Sequence, residues 1–103
     1  MAKKINWTNE AKWWIREIYD FISLDDEDAA WKTVNGIYEK TEKLLDHPYI
    51  GYQHAEDNLP HDVYIILYGH YRIAYRIKDD SDIDIVGVYR GELDIKRHFP
   101  KEL

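Results

Sequence analysis

The sequence predicts an α+β domain, with a two-helix antiparallel hairpin packed on a mainly antiparallel four-stranded sheet in the order β-α-α-β-β-β. Three observations carry this. Tyr71-Arg72-Ile73-Ala74-Tyr75-Arg76-Ile77 alternates strictly, and the segment from Ile83 starts the same way. That period belongs to strands with two unlike faces. Asp79-Asp80-Ser81-Asp82 joins the two as a hairpin turn. Upstream, apolar residues recur at three- and four-residue steps over two stretches, which is the helical period. Two such helices bury their stripes on the apolar face of a sheet.

Lys3 to Trp7 reads as a short strand, and periodicity leaves open whether it joins the sheet at an edge or in its middle. Thr8 or Asn9 caps the first helix, because either side-chain oxygen accepts from a free first-turn amide. That helix runs to about Leu24, with Ala11, Trp14, Ile15, Ile18 and Ile22 forming its core stripe and Trp13 nearly opposite. Asp25-Asp26-Glu27-Asp28 ends it and starts the second helix, since acidic residues suit a first turn. The second helix runs to about Asp46, with Ala30, Val34, Ile37, Thr41 and Leu44 or Leu45 inward. Gly36 lies inside it at a propensity cost of roughly 1 kcal/mol relative to alanine. The short link between the helices makes an antiparallel hairpin.

Pro48 closes the second helix, because it disfavours helical geometry at His47. Residues 53–60 form a polar loop, and Val63 to Tyr68 a strand that turns at Gly69-His70. In the strand that follows, Tyr71, Ile73, Tyr75 and Ile77 face the helices while Arg72 and Arg76 face away. Residues 91–103 read as an irregular or weakly helical tail.

The 103 residues make a single domain, 1–103, large enough for one core without staples. With no cysteine, disulfides and thiolate metal sites are excluded. The five histidines show no metal spacing, so neither a metal nor a cofactor is expected. No apolar run approaches the ~20 residues that a membrane helix needs. The basic start Lys3-Lys4 is followed by no long apolar stretch, so a cytoplasmic protein without membrane attachment is expected. The net charge of −6 argues against direct recognition of DNA sequence, which relies on clustered Lys and Arg. Yet the charge is uneven. Acidic residues crowd 25–28, 56–57 and 79–84, while Arg72, Arg76, Arg90 and Arg97 lie in the last third.

Four segments in this order resemble the RelE/ParE superfamily of bacterial toxins from type II toxin–antitoxin systems. They are Trp7-Thr8 with Ala11; Leu44-Leu45-x-x-Pro48-x-x-Gly51; Gly69-His70-Tyr71-Arg72-Ile73-Ala74-Tyr75-Arg76; and Ile85 to Phe99, similar to the ending of the ParE branch. The resemblance implies a small toxin neutralised by a cognate antitoxin whose helix and strand wrap its surface. The ParE branch implies plasmid stabilisation and poisoning of DNA gyrase. The RelE branch implies ribosome-dependent cleavage of messenger RNA without a metal.

The chain departs from the patterns of both branches, and the departures from the RelE pattern favour the ParE branch. The strand at 63–67 lacks the lysines common in RelE nucleases, and Lys96 falls near the place of their C-terminal tyrosine. Within the ParE ending, Arg90 stands where histidine is usual and Glu92-Leu93 replaces an Arg-Arg pair. On the ParE reading, Arg72, Arg90, Asp94, Arg97 and His98 contact the target. On the RelE reading, Arg72, Arg76 and Arg90 offer the cation for a developing phosphate charge, with His98 or His70 as the base. Solvated arginines paired with Asp82, Asp84 or Glu92 are the structural alternative for the three strand arginines. Trp13 and Trp31 lie off the core stripes and are expected to anchor the antitoxin. A third reading, motivated by the negative charge and by Glu92-Leu93, is a non-toxic family member that only binds an antitoxin.

Overall fold

A computed structural model describes residues 4–53 and 62–91. Strand β1 (Ile5–Trp7) leads into helices α1 (Asn9–Ser23) and α2 (Glu27–Glu42), and Lys43–Leu45 adds one 3-10 turn. Strands β2 (Val63–Tyr68), β3 (Tyr71–Ile77) and β4 (Ile83–Tyr89) follow. The sheet order is β1-β4-β3-β2. Strand β1 is an edge strand, parallel to β4, with Ile5 opposite Ile83 and Trp7 opposite Ile85. The other pairs are antiparallel.

The cap of α1 is Thr8, and it ties three elements together. Its Oγ1 accepts from the Ala11 amide at 3.2 Å and donates to the Ile85 carbonyl at 2.7 Å. Asp26 caps α2 by accepting from the Ala29 amide. The inward residues of both helices, Ala11, Ile15, Ile18, Ala30, Val34, Ile37, Thr41 and Leu44, are buried. Ala11, Ile15, Ile18, Val34, Ile37 and Leu44 form one core with Ile66, Ile73, Tyr75, Ile83, Ile85 and Val88 of the sheet. Helix α2 continues through Gly36, where the phenol of Tyr68 lies in the space a side chain would take.

The sheet departs from strict alternation in two ways. In β4, Ala74 faces Gly87 while Tyr75 faces Ile85, so Val86 is one extra residue and makes a β-bulge. The bulge shifts the phase of β4. Ile83 and Ile85 face the helices before it and Val88 after it, while Tyr89 lies beside Arg72 on the far face. The far face also differs from the plain arginine-bearing surface expected from the sequence. Val63, Ile65, Ala74 and Tyr89 form a second, smaller core there, with Tyr52 and Trp14 packed against it. The cause is the continuous apolar run of β2, which supplies buried side chains to both faces. Tyr52 bridges Ile65 on the outer edge of β2 through two backbone hydrogen bonds of 2.8 and 2.9 Å.

Candidate functional site

The three strand arginines do not form one cluster. Arg76 lies near the start of β2, opposite Val63. Its Nε and Nη2 donate to Asp62 Oδ2 at 2.8 and 2.7 Å. Its partner is therefore Asp62, not the expected Asp82 or Asp84, and Glu92 lies outside the described residues. Asp84 instead accepts from the Asn6 amide group at 3.2 Å, and Asp82 lies 3.9 Å from the Lys4 ammonium. Arg72 sits toward the other end of β3, and its Nη1 donates to the Tyr52 hydroxyl at 2.6 Å. Arg90, one residue past β4, follows the shifted phase of the bulged strand toward the helices. Its guanidinium carbon is 6.0 Å from the centre of the Phe21 ring on α1. That is the outer limit of a cation–π contact.

Arg72 and Arg90 nevertheless meet at the end of the sheet. With Leu67, Gly69, His70 and Gly91 they line an open hollow of about 420 Å³. Gly69 and Gly91 have φ of 57° and 94°, so the two chain turns framing this hollow use backbone that favours glycine. The hollow unites two of the arginines and one of the histidines singled out from the sequence. Arg76 lies apart from it, and Asp94, Arg97 and His98 lie outside the described residues.

A second hollow, of about 230 Å³, lies between α1 and the end of the sheet. Trp14, Ile18 and Phe21 line it from the helix, Tyr71 and Val88 from the sheet, and Glu17 and Arg90 supply its charges. Trp13 and Trp31 are 50% and 53% exposed, as their places off the core stripes require. Each rests edge-on against a neighbour, Trp13 on Trp14 and Trp31 on Tyr19. Phe21, at 63% exposed, was not singled out from the sequence, although it lies two helical turns beyond Trp13 along one row. Asp62 was also missed. Counting back from the two-residue turn Gly69-His70 places Asp62 opposite Ile77 and Val63 opposite Arg76, so the pairing register alone does not give the Asp62–Arg76 contact.

Two buried tyrosines support the sheet around these hollows. The Tyr75 hydroxyl donates to the Pro48 carbonyl at 2.8 Å and accepts from the Gly51 amide at 3.0 Å. Burial pushes its pKa up to about 12. Burial also raises that of Tyr89, whose hydroxyl has no hydrogen-bond partner among the described residues. Among those residues, no three His, Cys, Asp or Glu side chains are grouped to hold a metal ion, and no helix is long and apolar enough to cross a membrane.

The fold has close counterparts. A chain of the chromosomal ParDE system from P. aeruginosa is 23% identical with a TM-score of 0.71, over 86% of this chain and 96% of that one. A mutant of the E. coli toxin RelE in the free state is 18% identical with a TM-score of 0.64, over 94% and 92%. A chain of the toxin–antitoxin complex RelBE2 from Mycobacterium tuberculosis is 18% identical with a TM-score of 0.55, over 88% and 100%. At these identities the structures establish the fold alone. No curated protein matches the sequence. The family model of the ParE toxin of the type II toxin–antitoxin system, parDE, matches residues 5–95, and that span of nearly the whole chain makes the protein a member of the ParE toxin family.

Proposed function

We propose that this chain inhibits bacterial growth in the cytoplasm by binding a protein target, DNA gyrase, and that a cognate antitoxin neutralises it. Membership of the ParE family supports the toxin role. The observation that carries a binding mode of action is how the strand arginines are used. Arg76 is held by Asp62, and Arg72 is braced by Tyr52. Arg90 stands exposed at a corner shared by two hollows. An exposed arginine beside aromatic surface suits a protein contact, where Arg and aromatic anchors dominate binding energy. Asp94, Arg97 and His98 extend this contact on the same reading.

The test pairs a colony count after induction of the chain alone with a supercoiling assay on purified gyrase. Colony loss by several decades together with loss of supercoiling is the expected result. Colony loss with unimpaired supercoiling removes gyrase as the target. No colony loss leaves a module that only binds an antitoxin.

One observation favours a second reading. His70, Arg72 and Arg90 line a single hollow, and a base beside cations is the set that metal-free RNA cleavage requires. Ribosome-dependent cleavage would give codon-phased ends in primer extension on messages from induced cells, and their absence would end this reading.

A further inference from the structure

We infer that the outer edge of β1 pairs with the β1 edge of a second copy of this chain, joining two sheets across a two-fold axis at Asn6. The inference stands apart from the toxin reading. The two edges of the sheet are finished differently. At β2, the segment at Tyr52 bridges Ile65 and covers the edge there. At β1, no strand lies beyond among the described residues. Edge strands are commonly guarded by a charge, a proline or a bulge. Ile5-Asn6-Trp7 carries no charge and no proline, and its register with β4 is regular.

The direction of its backbone groups follows from the ladder. The Lys4 carbonyl accepts from the Ile83 amide at 3.0 Å, and the Thr8 amide donates to the Ile85 carbonyl at 3.3 Å. Lys4, Asn6 and Thr8 therefore turn toward β4, and the intervening Ile5 and Trp7 turn amide and carbonyl outward. An antiparallel copy centred on Asn6 sets each Ile5 opposite a Trp7. Two residues so placed exchange both of their hydrogen bonds.

The side chains are self-complementary as well. Ile5 and Trp7 lie on the helix face at the margin of the main core, with the Trp7 ring 4.6 Å from that of exposed Tyr38. Across the axis each Ile5 meets a Trp7, a β-branched and aromatic pair that favours strand pairing. Asn6 lies on the opposite face, where its Nδ2 donates to Asp84 Oδ1 at 3.2 Å. An amide group carries two donor hydrogens and an acceptor oxygen. With one hydrogen on Asp84, the other hydrogen and the oxygen match the same group of the second copy. That reciprocity selects a copy of this chain over an unrelated strand. Lys4, the nearest charge, falls opposite Thr8 and not opposite another lysine. The axis also leaves the Arg90 corner open. Asn6 pairs with Asp84, and Arg90 lies roughly 20 Å further along β4 at about 3.3 Å per residue. Strand β1 has 3 residues, so the contact is small and belongs to the transient class.

The test exploits the absence of cysteine from the chain. Residues facing each other at a non-hydrogen-bonded position have Cα atoms about 4.5 Å apart, within disulfide reach. Asn6→Cys is expected to form a disulfide-linked dimer in glutathione buffer about tenfold or more faster than Leu24→Cys, whose site at the end of α1 is also exposed. Sedimentation of the unaltered chain at rising concentration should show a monomer–dimer equilibrium. Asn6→Lys keeps a donor for Asp84 and sets like charges on the axis, so it should abolish the dimer while the chain still melts cooperatively. Equal cross-linking of Asn6→Cys and Leu24→Cys overturns the pairing, and so does a chain that stays monomeric throughout. A dimer that survives Asn6→Lys also overturns it, because another surface then holds the two copies. Exchange protection of the Ile5 and Trp7 amides that appears only with a different protein bound overturns it too, since the edge then belongs to that partner.

Discussion

Tyr75 shows how one side chain can hold a segment to a sheet. Its hydroxyl is the only polar group it carries, and it is used twice, toward Pro48 and toward Gly51. A methyl at Gly51 would come within 2.6 Å of that oxygen and 2.8 Å of the Ile65 carbonyl, so glycine is what allows the approach. Tyr75→Phe removes both bonds and strands a partly buried amide, which should cost about 1–3 kcal/mol in urea denaturation. The same residue sets an alkaline limit. Its folded pKa of about 12 lies above the ordinary tyrosine value of 10.0, so its contribution is fully present below pH 10. Above pH 10 the unfolded chain loses the proton while the native state keeps it, and stability falls as pH rises toward 12. The raised pKa of Tyr89 acts in the same direction. Unfolding curves between pH 8 and about 11.5 should therefore show a flat region and then a decline, with a shallower decline in Tyr75→Phe.

Among the elements, the junction of β1, α1 and β4 turns on Thr8. It caps the helix and, through its hydroxyl, fastens the helix start to β4 at Ile85. Thr8→Ala should destabilise by about 1–2 kcal/mol, at the upper end for a cap because a second bond is lost. Gly36 tests the packing of α2 on β2. Alanine there would gain about 1 kcal/mol of helix propensity. The added methyl would, however, collide with the Tyr68 ring. Overpacking of this kind costs about 1–3 kcal/mol, so Gly36→Ala should lower the melting temperature despite its better propensity.

These elements also show what the sequence made legible. Helix stripes, caps and the β2–β3 turn follow from local chemistry, and each was readable from residue types and spacing. The bulge at Val86 was not, because a run of Ile, Val, Gly and Val suits either face and carries no mark of a one-residue shift. That shift sends Arg90 toward Phe21, away from the face of Arg72 and Arg76. The edge position of β1 was equally invisible, since three residues cannot show which neighbour they pair with.

At the scale of the whole molecule, charge limits how this chain can find a partner. The total is −6, while Arg72 and Arg90 meet at one end of the sheet. At physiological salt a surface field fades within about 8 Å, so that positive corner acts at contact and hardly steers at a distance. Recognition of the target should then depend on Arg90 itself and little on the remaining charges. Arg90→Ala, exposed and outside the core, should leave the melting temperature within about 1–2 °C of the original while restoring colony formation on induction. Arg76→Ala should behave oppositely. It breaks a half-buried pair with Asp62, lowering stability by roughly 1 kcal/mol, and toxicity should fall only as far as the folded fraction does. Measuring both variants by melting and by colony count separates the two roles. If Arg76→Ala abolished toxicity at an unchanged melting temperature, the contact with the target would have to extend along β3, and the corner at Arg90 would be only part of it.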